Sequence, residues 1–227
     1  MQGYSNYPKN PTSSVTWESN RARIKAGFAD NEVLVSKAIN YLAEHIVKQS
    51  NHTLTSSELE VIGQHIKVKT MKRKQLLLQE GDLCKYLYFV VKGALKMYAI
   101  NERGHEAIIC FGLEDDWIAD KESVALQSPS RFNIEALEKS QVILLPASHM
   151  NELSDQIPAI REMVRVQERN HAIFEQKRVH VAISMSAEEK YQDLLDCHPE
   201  YTERFSQNIL ASYLGIKPET LCRIRKR

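Results

Sequence analysis

The 227-residue chain has only four cysteines, and none stands in a Cys-x-x-Cys pair. Cys84, Cys110, Cys197 and Cys222 are scattered, which excludes a zinc ribbon and reads as free thiols in a reducing compartment. Long apolar runs are missing too, with nothing near the roughly 20 consecutive apolar residues of a membrane span. The opening MQGYSNYPKNPTSSVTWESNRARIKAGF has no basic segment followed by an apolar one, so a cytoplasmic protein with no membrane partner is expected. Net charge is almost absent, +1 from 30 Lys and Arg against 29 Asp and Glu. A nucleic-acid partner can therefore be argued only from where the charges sit.

Catalytic signatures are also absent. There is no phosphate-binding loop and no Gly-x-Gly-x-x-Gly. His105-Glu106 begins like a zincin motif, but Ile109 occupies the second ligand position. His171 and His180, nine residues apart on one expected helix, fall on opposite faces at about 100° per residue. Glu114-Asp115-Asp116 before a tryptophan reads as a solvated turn, His105 as a solvated strand-turn residue, and no nucleophile elbow is found. No enzyme and no metal site are expected.

What is present is ordinary globular material, 43% hydrophobic and 26% charged, enough for one large domain or two modest ones. Residues 1–30, rich in Ser, Asn and Pro, read as a flexible arm. Leu34, Ala38, Leu42 and Ile46 then recur as a helical stripe, and Thr55 with Glu58 forms a capping box opening a second helix. After Ile66 the period drops towards two. Strands are expected at 76–78, 86–91, 94–100, 107–111, 133–136 and 142–146, separated by turn signals such as Glu80-Gly81-Asp82 and Lys92-Gly93, a spacing that suits a sandwich or barrel. A long helix follows, with Ile160, Val164, Gln167, His171, Phe174, Arg178, Val181 and Met185 as an approximate a/d seam. Ser186 and Glu189 form another capping box, starting a new helix at 187.

The charge is concentrated at the end. ASYLGIKPETLCRIRKR carries five cations against Glu219. Its spacing is that of a helix-turn-helix. Leu210 and Leu214 lie one turn apart, Ala211 is small where a second helix crosses, and Gly215 suits a left-handed turn. Pro218 suits the first helical position, and Ile216 with Leu221 forms a hydrophobic staple. Leu221 and Ile224 face inward, leaving Glu219, Thr220, Arg223, Lys226 and Arg227 outward. Such a face can read base edges in a major groove, with Lys217, Arg225 and Arg227 on phosphates.

The stretches QEGDLCKYLYFVVKGALKMY, NERGHEAII, EALEKSQVILLP and LASYLGIKPETLCRIRKR resemble the CRP–FNR family of bacterial transcription regulators, especially compact members of the Bacteroidetes group. The resemblance covers about two thirds of the chain. It implies an α+β fold: N-terminal helices with a cyclic-nucleotide-binding-like β jelly-roll (31–156), a dimerisation helix (157–185) and a helix-turn-helix domain (186–227). Members that bind cyclic AMP grip it with a Gly-Glu pair and an Arg-Ser pair. The matching positions here are Ala119 and Asp120, and Ser130 and Arg131 in swapped order, so these four mark the effector pocket while cyclic AMP itself is not expected. The first cysteine comes too late for the family's iron–sulfur ligands, and no cofactor is expected. The family's longer members carry a phosphate-touching wing after this helix, which is not expected here after Arg227, and Lys217 stands in place of the expected Ser or Thr cap.

The expected protein is a homodimeric, sequence-specific transcription regulator on double-stranded DNA with an inverted-repeat site, and RNA polymerase is a candidate partner. The rival is a small-molecule sensor acting through protein contacts, its DNA-binding end vestigial.

Overall fold

A computed structural model describes the backbone of residues 17–226, with side chains from residue 33 onward. Of the arm expected over residues 1–30, residues 1–16 lie outside the described residues, and helix α1 runs Trp17–Ser50. The chain divides into two compact units, Met1–Lys37 and Ala38–Arg227. Every element after α1 belongs to the second.

Two four-stranded antiparallel sheets form a jelly-roll sandwich. One has the order β1-β8-β3-β6, from β1 (Lys67–Met71), β3 (Tyr86–Lys92), β6 (Trp117–Ile118) and β8 (Ser140–Pro146). The other has the order β2-β7-β4-β5, from β2 (Leu76–Leu78), β4 (Leu95–Ile100), β5 (Glu106–Gly112) and β7 (Asn133–Ala136). The expected strands are present. Strands β1 and β6 were not anticipated, because KVKTM is mostly polar and WI is too short to show a period.

Alternation along the strands sorts side chains between layers. Tyr88, Val90, Leu95, Ile134 and Val142 fill the sandwich interior. Phe89 and Ile143, on the other face of the first sheet, pack against Ala38, Leu42 and Ile46 of α1 and Ile62 of α2 (Ser56–His65). Leu153 of α4 (Ala147–Gln156) and Ile160 and Met163 of α5 (Pro158–Ser184) complete that layer. Both capping boxes form: Thr55 and Ser186 each accept from the backbone N–H three residues on. Between β3 and β4 the chain turns at Gly93 with φ 98°, where a Cβ would lie 2.7 Å from Ser140 Cα, so only glycine fits.

The outer face of the second sheet is covered by the C-terminal helices. These are α6 (Ala187–Cys197), α7 (Pro199–Arg204), α8 (Gln207–Leu214) and α9 (Pro218–Arg225). Ala94, Tyr98, Ile108, Phe111 and Leu113 of the sheet side share one core with Leu194, Tyr201, Phe205, Leu210, Ala211, Tyr213, Leu214 and Leu221. Sheet and helices are fused across a single hydrophobic cluster.

Candidate nucleic-acid interface

Helix α8 ends in a Schellman motif: Gly215 has φ 66°, its N–H donates to the Ser212 carbonyl at 3.2 Å, and Ile216 N–H donates to Ala211 at 3.0 Å. Pro218 then opens α9 at its first turn, and Lys217 as N-cap makes no side-chain cap bond. Gln207 Nε2 donates to the Pro218 carbonyl at 3.0 Å, tying the start of α8 to the start of α9. Leu221 is fully buried, Ile224 is half-buried, and Ile216 packs against the same cluster.

With that side of α9 turned inward, Lys217, Glu219, Arg223, Arg225 and Lys226 are exposed and Thr220 is half-buried. Arg227 lies outside the described residues. Thr220, Arg223 and Lys226 share a shallow cavity of about 530 Å³ with Ser186, Ala187 and Glu188 at the start of α6.

Helix α8 also rests on β5. Ser212 Oγ donates to the Glu106 carbonyl at 2.7 Å and accepts from Ile108 N–H at 3.2 Å. Arg204, at the end of α7, forks onto Glu114 at 2.7 Å and Glu138 at 2.6 Å. Burial opposes ionisation of Glu114, but the Arg204 guanidinium and the Gly93 N–H hold its carboxyl below the usual range. Glu114-Asp115-Asp116 is therefore no mere solvated turn: Glu114 anchors the helices, and Asp116 accepts from Leu113 N–H at 2.9 Å.

The four effector-pocket positions are only partly brought together. Asp120 is buried and caps α3 (Lys121–Leu126), accepting from the N–H groups of Glu122 and Ser123, while its other oxygen accepts from Ser130 Oγ at 2.6 Å. Arg131 points to solvent, its side chain 76% exposed, and pairs with Glu122 at 2.8 Å. Ala119 lines a cavity of about 360 Å³ behind β5, shared with Met97, Cys110, Lys121, His171 and Phe174. Burial pushes the Cys110 thiol up to about 12, leaving it protonated. At the same cavity, His45 stands 3.6 Å from Asp115 and 3.3 Å from Gln167. Burial lowers the His45 pKa from 6.5, against the pull of Asp115.

A family model for the cyclic nucleotide-binding domain matches residues 68–156. The fumarate and nitrate reduction regulatory protein of Vibrio cholerae is 28% identical over 187 residues, covering 77% of this chain and 74% of that relative. The anaerobic regulatory protein of Pasteurella multocida is 27% identical over 187 residues, covering 77% of this chain and 68% of the relative. The solved structure of FixK2 from Bradyrhizobium japonicum has the same fold, with TM-score 0.59 and 19% identity over 71% of this chain and 83% of that one.

The chain is similar to proteins of the CRP–FNR family, and its fold agrees with that likeness. Most of the seam expected to pair two copies has contacts within its own chain, while His171 stays exposed. Ile160 is buried and Val164 packs beside it, Gln167 meets His45, and Phe174 lines the cavity behind β5. Arg178 stacks 4.0 Å from the Tyr213 ring and donates to the Tyr213 carbonyl, and Val181 is buried. His171 borders the same inner cavity, and Met185 ends the helix. The polar members of that stripe have partners within their own chain, which explains why it is no aliphatic zipper. The outward apolar residues of α5 are Ile173, Val179 and Ile183, exposed by 48%, 54% and 79%.

Ser212 and Arg204 were not singled out from the sequence. Ser212 interrupts an otherwise apolar ILASYL run, a polar residue at a position that periodicity assigns to packing. That was the available signal.

Proposed function

We propose that this protein is a homodimeric regulator of the CRP–FNR type that reads double-stranded DNA with α9. The observation that carries the reading is the division of α9 itself. Leu221 is fully buried while Glu219, Arg223 and Lys226 stand exposed on the opposite side. A short helix held by its apolar side and presenting Arg and Glu at helical spacing suits base edges, with Lys217 and Arg225 placed for phosphates. Relatives similar to this chain are regulatory proteins, which supports a regulatory role.

Two copies would meet through Ile173, Val179 and Ile183, which fall within about a third of the helix circumference. We further infer that the β-roll does not grip a cyclic nucleotide through Asp120 and Arg131. The Asp120 carboxylate is already taken by α3 and Ser130, and Arg131 pairs outward with Glu122.

Selecting bound duplexes from a random pool, then titrating salt against selected and random duplexes, tests the reading. A regulator loses affinity steeply with salt and keeps a surplus for the selected, inverted-repeat site. Shallow salt dependence with no selected sequence would leave only a sensor acting through protein contacts.

A further inference from the structure

Strand β5 has two working sides, and a bulge creates them. Met97 on β4 pairs with Cys110 while the next residue, Tyr98, pairs with Ile108, so Ile109 is the extra residue. The bulge resets the alternation. Cys110 and Met97 face the cavity behind the sheet together with Ala119, Lys121 and Phe174. Ile108 and Phe111 both join the core shared with the helices, where regular alternation would have split them, and Phe111 also borders the cavity.

The helix side of β5 is held in three ways. Phe111 sits against Phe205 at 4.4 Å and against Tyr201 and Tyr213 at 4.9 Å each. Arg204 clasps Glu114 just beyond the strand, and Glu114 also accepts from Gly93 N–H at 2.7 Å. Ser212 acts as a one-residue substitute for a neighbouring strand. β5 is a sheet edge, and the Ser212 hydroxyl satisfies both a backbone donor and a backbone acceptor on that edge.

Helix α8 cannot slide along β5 without breaking that bracket, and α9 is fixed to α8 through Leu221 and the Gln207–Pro218 bond. Strand β5 thus contributes both to the wall of the half-open cavity, which His198 and Tyr201 also line, and to the seat of the reading helix. We propose that β5 is the coupling element of this protein: a change in the cavity moves β5, and Ser212, with Phe111 and Arg204 beside it, passes that displacement to α8 and α9. Ser212 is a positioning residue for the DNA-reading helix. The DNA part of this proposal rests on the function proposed above, while the coupling itself does not.

The test combines a cavity perturbation with removal of the bracket. Ala119→Leu fills the cavity from its wall, and Lys121→Trp fills it from an exposed position should the first variant fold poorly. Each is made in the natural chain, in Ser212→Ala and in Ser212→Thr, which keeps the hydroxyl. Amide exchange over residues 106–112 and 207–226 is measured without DNA, and binding to a selected and a random duplex is measured at fixed salt. Cavity filling should change exchange across residues 207–226 in the natural chain and in Ser212→Thr, but not in Ser212→Ala. Ser212→Ala should lower the ratio of selected to random affinity by about 5-fold or more, with Thr restoring it. Cavity filling should shift that ratio with Ser212 present and leave it within about 2-fold without it. Undiminished transmission to residues 207–226 in Ser212→Ala overturns the coupling. So does a natural chain in which cavity filling changes exchange only at 106–112. Failure to bind any duplex would instead count against the DNA-reading function, and the exchange result would still decide the coupling.

Discussion

Truncating Phe111 to alanine removes the ring that joins the β-sandwich to the C-terminal helices. The ring is 7% exposed and has three aromatic neighbours with centroids between 4.4 and 4.9 Å. Burying a phenylalanine side chain stabilises by roughly 1.5–3 kcal/mol. Aromatic pairs add about 0.5–1.5 kcal/mol each beyond area, although three pairs on one ring do not add fully. Together these place Phe111→Ala near the middle of the range for Phe→Ala changes in cores, about 4 kcal/mol. For an unfolding slope of about 2 kcal/mol per molar urea, the midpoint should fall by roughly 2 M. Phe111→Leu, which keeps most of the volume, should lose less than half of that. Urea unfolding followed by circular dichroism gives the loss, and amide exchange shows where it falls. Faster exchange should appear first across residues 199–226, whose core side is shared with Phe111. A loss under about 1 kcal/mol for the alanine variant would refute a fused core.

Gly93→Ala should cost about 3 kcal/mol or more, read as a lowered melting temperature, because φ is 98° and the new Cβ meets the Ser140 backbone at 2.7 Å. Stability should fall as pH drops below 6.5, because burial lowers the His45 pKa: the unfolded chain takes up a proton that the folded chain resists. Urea midpoints between pH 7.5 and 5.5 should show a drop that flattens in His45→Gln. Arg223→Ala should lose about 1–3 kcal/mol on a selected duplex and little on a random one, whereas Lys226→Ala should weaken both alike; anisotropy titrations separate the two. Ile183→Glu places a charge on the outward face of α5 and should shift sedimentation at micromolar protein from dimer towards monomer, while Ile160→Val, inside the chain's own core, should not.

The elements that follow local rules were legible in the chain. Thr55 with Glu58 and Ser186 with Glu189 start helices where expected, because a cap is settled within one turn. The same is true of Gly215, Pro218 and the inward Leu221. The strands from Leu76 to Pro146 were visible as alternation between turn signals, apart from a two-residue pairing that has no period to detect. Asp120 shows how a local rule and a family likeness can compete for one side chain. Its carboxylate serves as the cap of α3, a role that the following Glu122 and Ser123 backbone groups make available in any chain that turns into a helix there.

The α5 stripe marks the limit. Its residues recur at helical spacing, and periodicity correctly implied that one side is covered, but not what covers it. In the folded chain Gln167, Phe174 and Arg178 meet His45, the β5 cavity and Tyr213, contacts far away in sequence that periodicity does not name. Similarly, Ser212 reaches Ile108 across 104 residues of chain, a pairing that no local pattern encodes. The sequence alone determined caps, turns, strand alternation and the two-sided character of α9, since each depends on residues within a turn or two of one another. Which faces meet, and therefore that the C-terminal helices are seated on an edge strand, was decided by closure of the sandwich and the demand of Phe111 and its aromatic neighbours to leave water together.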